Sequence, residues 1–299
     1  MFDSHLNSAL FSLENSNYKT LVDFYLQGEM ERDGFDITTS LLKLSDQSKF
    51  LAKINSKTSG ILAGQKEIKY FLQQLQLTSK WYFLDGEKIQ KNDLICEIKG
   101  PAQTILRVER TLLNFLGRMS GVASLMNKYV KSVPPDILIC PTRKTLWGLL
   151  DKKACFLGGG GTHRLNLADA VLFKENHLLL FQSSKDLQWE KIQNKCGRFL
   201  EIEVENEQEF EKYWKILQKI DIKNKIIMFD NFSVEKIEMI TKKYLRKKYN
   251  IIFEVSGGIN LKNIKDYARL DIDIISVGVI THSADSLDFS LKLFNAAPK

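Results

Sequence analysis

Between residues 137 and 278 the chain repeats one pattern that few folds can accommodate. A short apolar run ends in a polar or glycine cluster, and most of these clusters lead into apolar residues at helical spacing. Residues 137–140 lead to Thr142-Arg143-Lys144, and residues 170–173 lead to Lys174-Glu175-Asn176-His177. Residues 199–204 lead to Glu205-Asn206, and 226–229 to Asp230-Asn231. Residues 251–255 lead to Ser256-Gly257-Gly258, and 274–277 to Gly278. Continuous apolar runs of this length suit parallel strands covered on both faces, and alternation with helices makes βα units. Two architectures meet that requirement, an α/β barrel and a doubly wound open sheet. The open sheet carries its ligand at one switch point, whereas a barrel gathers functional groups at the carboxyl ends of many strands. Nearly every run here ends in reactive or ligand-like residues, which favours the barrel.

The first third reads differently. Helical spacing runs from Leu6 to about Gln27 with Gly28 as a stop, and a polar loop follows with a cap at Thr39 or Ser40. Short strands are expected at 51–54, 81–84 and 94–98, with a helix from Gln65 to about Leu75. This mixture indicates an α+β unit ending near residue 107. A long helical pattern then covers 105–130, carries Arg110, and is expected to break near Ser120-Gly121.

Composition excludes several classes. No apolar run approaches the roughly 18 residues of a membrane helix. The opening MFDSHLNSAL has neither the basic start nor the apolar core of a signal peptide, so a cytoplasmic location is expected. The four cysteines form no C-x-x-C pair, which argues for reduced structural thiols over a zinc or redox site. The net charge of +7 raises nucleic acid as a partner, but the densest basic cluster, residues 242–248, reads as a solvated helix face. No nucleic-acid fold signature accompanies it.

The most chemically suggestive stretch is 158–177, GGGGTHRLNLADAVLFKENH. Glycine permits close backbone approach, and His163, Arg164 and Lys174 follow. Together with Arg143 and Lys144 they make a cationic set suited to carboxylates or phosphates. Glu203 and Asp230 form an acidic set that suits ribose hydroxyls or a hard cation such as Mg²⁺. Backbone amides of Gly257, Gly258 and Gly278 can hold a terminal phosphate. Alternation in 201–205 puts Glu201, Glu203 and Glu205 on one strand face, which is also common on solvent-facing strands. Lys144 or Lys174 as a Schiff-base nucleophile is a further possibility, although neither has an apolar setting in sequence.

These segments in this order resemble the quinolinate phosphoribosyltransferase family. The match includes Glu109-Arg110-Thr111-Leu112-Leu113-Asn114, Ser120-Gly121-Val122-Ala123, Thr142-Arg143-Lys144-Thr145 and residues 158–177. It continues through 201–205, Phe229-Asp230-Asn231, Ser256-Gly257-Gly258-Ile259 and Ser276-Val277-Gly278. The resemblance implies an N-terminal α/β sandwich over 1–107, joined by the tail 284–299, and an incomplete α/β barrel over 108–283. It implies conversion of quinolinate and phosphoribosyl pyrophosphate, with Mg²⁺, to nicotinate mononucleotide, pyrophosphate and CO₂ in NAD biosynthesis. Thr142, Arg143, Lys144, His163, Arg164 and Lys174 would hold quinolinate. Glu203 and Asp230 would serve the ribose and the magnesium-bound phosphates, as the candidate protein ligands of the ion. Lys144, Glu203 and Asp230 would be the catalytic groups, and Ser256, Gly257, Gly258, Val277, Gly278 and Val279 would hold the 5′-phosphate. Arg110 would reach the active site of a neighbouring chain in a homodimer or hexamer. The pattern departs from the family at residues 146–150, where Leu-Trp-Gly-Leu-Leu replaces a Pro-Gly-Leu-Arg type segment, and at Thr162 and Glu175.

Overall fold

The computed structural model describes residues 9–42, 49–183, 192 and 196–295, so the expected helical start at Leu6 lies outside the described residues. The chain divides into two compact units. One comprises the described parts of Ser8–Asn127, Trp147–Gly159 and Ser283–Lys299; the other holds Lys128–Leu146 and Gly160–His282.

In the first unit, helix α1 (Ser16–Asp33) begins where the Asn15 side chain accepts from the N–H of Tyr18. It runs straight through Gly28 and ends at Gly34, whose φ of 69° turns the chain. Tyr18, Val22 and Leu26 bury one stripe of this helix. That burial outweighs the roughly 1 kcal/mol that one interior glycine costs. Asp36, rather than Thr39 or Ser40, caps the single turn Ile37–Ser40 by accepting from the Thr39 N–H.

Strands β1 (Lys49–Ser56), β2 (Gly60–Ile61), β3 (Thr78–Trp81), β4 (Lys88–Ile89) and β5 (Leu94–Pro101) follow. Of the expected strand 81–84 only Trp81 is included, because β3 pairs with β5 over residues 78–81. The C-terminal strand Phe289–Asn295, β1, β5 and β3 make one antiparallel sheet in that order. Ala52 faces Ile98 and Ile54 faces Cys96 across β1 and β5, all buried, which gives the sheet an apolar face. Helix α2 (Gln65–Gln74) also belongs to this unit.

Helix α3 (Ala102–Val130) is continuous, so the expected break at Ser120-Gly121 is absent and the expected boundary at 107 falls inside it. The small residues there serve close approach. A Cβ on Gly121 would stand 2.1 Å from the Asp285 carbonyl oxygen, and Leu287 N–H donates to the Gly117 carbonyl. Ser120 and Ser124 accept from the N–H groups of Ala63 and Ile61, satisfying two backbone donors with side chains of α3.

Helix α4 (Leu149–Leu157) is tied to α3 by a buried bidentate pair, Arg118 to Asp151 at 3.0 and 2.8 Å. Asp151 also accepts from the N–H of Trp147, whose ring lies 4.8 Å from Tyr25 and 5.5 Å from Phe115. The segment that departs from the family pattern is therefore anchored by an aromatic contact of its own.

The second unit is a six-stranded parallel sheet of β6 (Leu138–Pro141), β7 (Val171–Phe173), β8 (Leu200–Val204), β9 (Lys225–Asp230), β10 (Ile251–Ser256) and β11 (Ile274–Val277). Its order is β6-β11-β10-β9-β8-β7. Consecutive strands β7 to β11 are neighbours, and the first strand pairs with the last. That cyclic order belongs to a barrel open between β6 and β7, and a doubly wound sheet does not produce it. Along the free edge of β6 runs the glycine segment. Gly161 N–H donates to Ile139, and a Cβ on Gly161 would stand 2.6 Å from Cys140 Sγ.

Cys140, Ala170, Phe199, Ile226, Ile252 and Ile274 form one buried cluster of this unit. Helices α5 (Glu175–Ser183), α6 (Glu207–Leu217), α7 (Val234–Lys243) and α8 (Ile264–Ala268) alternate with the strands. Phe210, Trp214, Tyr244, Phe229 and Phe253 pack together, with Phe210 to Tyr244 ring centroids 4.9 Å apart. In the basic cluster, Lys242 and Lys243 are exposed on α7, but Arg246 is buried and bound to Asp273 and Asp271. The four cysteines are buried and unbridged. Among the described residues no helix is long and apolar enough to cross a membrane.

Two glycines separate close approach from mere helix placement. Gly121→Ala should lower stability by about 1–3 kcal/mol through overpacking against a backbone carbonyl that cannot rotate away. Gly28 is exposed with nothing within 4 Å of a built Cβ, so Gly28→Ala should raise stability by about 0.5–1 kcal/mol. Thermal unfolding of both variants checks this; an unchanged Gly121→Ala would mean the Asp285 segment is not seated on α3.

Candidate active site

Side chains alternate along a strand, and the register of the barrel strands decides which reach its interior. Glu203 pairs with Met228, which pairs with Glu254, and Asp230 pairs with Ser256. At the carboxyl ends these residues meet the polar clusters that follow each strand. They enclose a cavity of about 450 Å³.

The cavity has a cationic side. Arg143 and Lys144 follow β6, Arg164 lies at the end of the glycine segment, and Lys174 follows β7. Thr281 Oγ1 donates to the Lys144 carbonyl at 2.8 Å, and the Lys144 N–H donates to Thr142 Oγ1 at 3.2 Å, so the main chain of this loop is held. Burial, then the neighbouring Arg143, push the Arg164 guanidinium below its ordinary proton affinity. Its Nε is buried without a hydrogen-bond partner. A buried donor left unpaired is costly unless an anionic ligand completes it.

The acidic groups lie opposite in the chain order. Glu203 is nearly buried and ion-paired with Lys174, and Asp230 accepts from Asn231 Nδ2 at 2.8 Å. Asn231, itself left-handed at φ 55°, donates its N–H to the Ser256 carbonyl. A Cβ on Gly257 would collide with Asn231, so this turn after β10 can be made only by glycine.

Beneath the cavity lies a buried group that the charge sorting did not isolate. His163 Nε2 stands 3.3 Å from Glu201 and 3.2 Å from Glu254, and both carboxylates are fully buried. Burial alone would lower the proton affinity of the imidazole, but the two neighbouring carboxylates raise it. Burial and the Glu254 charge push Glu201 up to about 7, opposed by His163. On the far side of the ring, Nδ1 accepts from the Arg164 N–H at 2.7 Å. A second ring proton would have to sit where that N–H already points. The amide is fixed by the chain, and its proton, pointed at Nδ1, outweighs the pull of the two carboxylates toward a second ring proton, so the ring is held as the Nε2–H tautomer.

Thr142, Arg143, Lys144, His163, Arg164, Lys174, Glu203, Asp230 and Ser256 all line the cavity. Gly257 and Gly258 occupy the turn after β10, Gly278 follows β11, and Val279 opens the short helix Val279–His282; none of the four is among its walls. Val277 alternates with the cavity residue Ser276, so its buried side chain points to the other face of the sheet. Arg110 is exposed on α3, in the other unit, and is not among the cavity residues. His177 is exposed and accepts from the Lys174 N–H.

Leu172, Met228 and Ser276 also line the cavity, although the strand-end clusters did not mark them. Each lies two residues before a strand-end group, as Glu254 does, and strand alternation carried to the next inward position would have found all four, as it put Glu201 on the face of Glu203. A Schiff-base role suits neither lysine, because Lys174 is ion-paired to Glu203 and Lys144 is exposed.

Comparison with known proteins finds relatives for both parts of the chain. Residues 36–120 match the N-terminal domain of quinolinate phosphoribosyl transferase, and residues 122–292 match its C-terminal domain. A probable carboxylating nicotinate-nucleotide pyrophosphorylase of Methanocaldococcus jannaschii is 38% identical over 279 residues, spanning 90% of this chain and 95% of that protein. The human carboxylating nicotinate-nucleotide pyrophosphorylase is 31% identical over 249 residues, spanning 81% and 82%. The solved nicotinate-nucleotide pyrophosphorylase of Francisella tularensis superposes with a TM-score of 0.80 at 31% identity, covering 92% of this chain and 96% of that one. With both domains matched in order, the chain belongs to the quinolinate phosphoribosyltransferase family.

Proposed function

We propose that the chain joins quinolinate to phosphoribosyl pyrophosphate, releasing pyrophosphate and CO₂ and leaving nicotinate mononucleotide for NAD synthesis. The observation that carries this reading is the unpaired, buried Nε of Arg164 beside Arg143, in a cavity that also holds Lys144 and Lys174 and whose acidic groups are Glu203 and Asp230. Two guanidinium groups and two lysines suit a planar dicarboxylate, because arginine forks match carboxylates bidentately. Thr142 and His163 complete that wall.

Glu203 and Asp230 would face the ribose. Departure of pyrophosphate leaves positive charge on the sugar ring, and fixed carboxylates stabilise it as it develops. Lys144, exposed at the cavity mouth, would meet the charge on the opposite side of the reacting bond. Ser256, Gly257 and Gly258, with the backbone of Val277, Gly278 and Val279, would hold the 5′-phosphate and keep the reactants in line. The carboxylates of Glu203 and Asp230 are hard oxygen donors of the kind Mg²⁺ takes, with substrate phosphates as the remaining donors. When bound, the ion would neutralise the departing pyrophosphate. Once the pyridine nitrogen is alkylated it is cationic. The C2 carboxylate can then leave as CO₂, with its bond electrons held beside that nitrogen until water supplies a proton.

Arg110, exposed on α3, is proposed to complete the site of a second copy in a homodimer or hexamer.

Incubation with quinolinate, phosphoribosyl pyrophosphate and Mg²⁺ should yield nicotinate mononucleotide and CO₂; turnover of nicotinate but not quinolinate would rule the reading out. Arg164→Ala should raise the quinolinate KM by about 30-fold, about 2 kcal/mol, while that for phosphoribosyl pyrophosphate changes little. Equal losses for both substrates would contradict the division of the cavity. Mixing inactive Arg110→Ala chains with inactive Lys144→Ala chains should restore activity through sites that receive one intact residue from each. No recovery in verified mixed oligomers would count against a shared Arg110.

A further inference from the structure

His163 has a backbone conformation that its neighbours must enforce. Its φ is 52°, left-handed for a residue with a side chain, and such a residue persists when surrounding contacts over-determine it. Its carbonyl accepts from Arg198 Nη2 at 2.9 Å and from Thr162 Oγ1 at 3.0 Å, while Arg198 is bound to Asp169. Its ring is held at both nitrogens, Nδ1 by the Arg164 N–H and Nε2 by Glu201 and Glu254. Glu254 in turn accepts from Ser276 Oγ on the adjacent strand. With both nitrogens committed within the protein, the ring has no strong donor or acceptor left for a substrate carboxylate.

We infer that Glu254 is a positioning residue for quinolinate capture, holding the His163 ring so that the left-handed turn at His163 delivers Arg164 into the cavity. His163 then acts through Arg164 instead of binding the dicarboxylate itself. The line of action runs from Ser276 to Glu254, to the imidazole, to the Arg164 amide. The outcome is a guanidinium aimed before substrate arrives, which removes an ordering cost from binding. This inference rests on the reading of the cavity as the quinolinate site.

The test compares Glu254→Leu, which keeps bulk but removes the acceptor, with Glu254→Gln, which keeps an acceptor oxygen. Glu254→Leu should raise the quinolinate KM about tenfold and leave that for phosphoribosyl pyrophosphate within about twofold. Glu254→Gln should recover most of the loss. In a His163→Ala background, Glu254→Leu should add little, because both changes break the same line of action. Equal increases in both KM values, no recovery by glutamine, or full additivity with His163→Ala would each overturn the inference. If Glu254→Leu does not fold, ¹⁵N spectroscopy of the wild-type chain decides: an unprotonated Nδ1 with Nε2–H is expected, and a doubly protonated ring at neutral pH would overturn it. Zinc or manganese held by His163, Glu201 and Glu254 in the wild-type chain and lost in Glu254→Gln would also overturn it. Failure of the wild-type chain to use quinolinate would sink the functional reading alone, and the ring measurement would still decide whether His163 is held as described.

Discussion

The pairing of β6 with β11 is the constraint from which the catalytic unit follows. It brings the first strand against the last, so every parallel strand ends at the same rim and the polar clusters after the strands converge. It also leaves β6 and β7 unpaired with each other. A rigid strand cannot occupy that opening without closing the barrel, but a glycine segment can lie on the free edge of β6 with one N–H bonded to Ile139. The same segment then carries His163 and Arg164 to the cavity. The gap in the barrel and the cationic wall therefore have one cause.

The charges of the rim are unevenly satisfied by the protein itself. Lys174 has Glu203, Asp230 has Asn231, and His163 has two carboxylates. Arg164 has a neighbouring cation and an unpaired Nε. Binding specificity comes from such deficits, because a ligand lacking the matching charge leaves the buried donor uncompensated.

The apolar runs and their polar ends were legible because a parallel strand buried on both faces tolerates few residue types. The charged rim was legible for the same reason, since polar residues directly after such runs have one place to go. Element ends were less so. Gly28 looks like a helix stop in sequence, yet Val22 and Leu26 hold the helix in the core. Gly121 looks like a break because the requirement it meets comes from Asp285, far along the chain. Glu201 and Glu254 were hidden by the ordinary rule that carboxylates face water. Only the position of His163 between them makes their burial intelligible.

The strand Phe289–Asn295 has a consequence for how the molecule is made. It pairs with β1 through all seven of its residues, from Phe50↔Asn295 to Ser56↔Phe289. During synthesis, β1 emerges long before that partner, and all six barrel strands are translated in between. The nascent chain thus carries an open sheet edge with unpaired backbone groups throughout translation of the barrel, in the state most exposed to intermolecular pairing. Completion of the N-terminal sheet waits on residues translated after the barrel, and a ribosome stalled before them would leave a chain with its barrel sequence finished and its sheet still open.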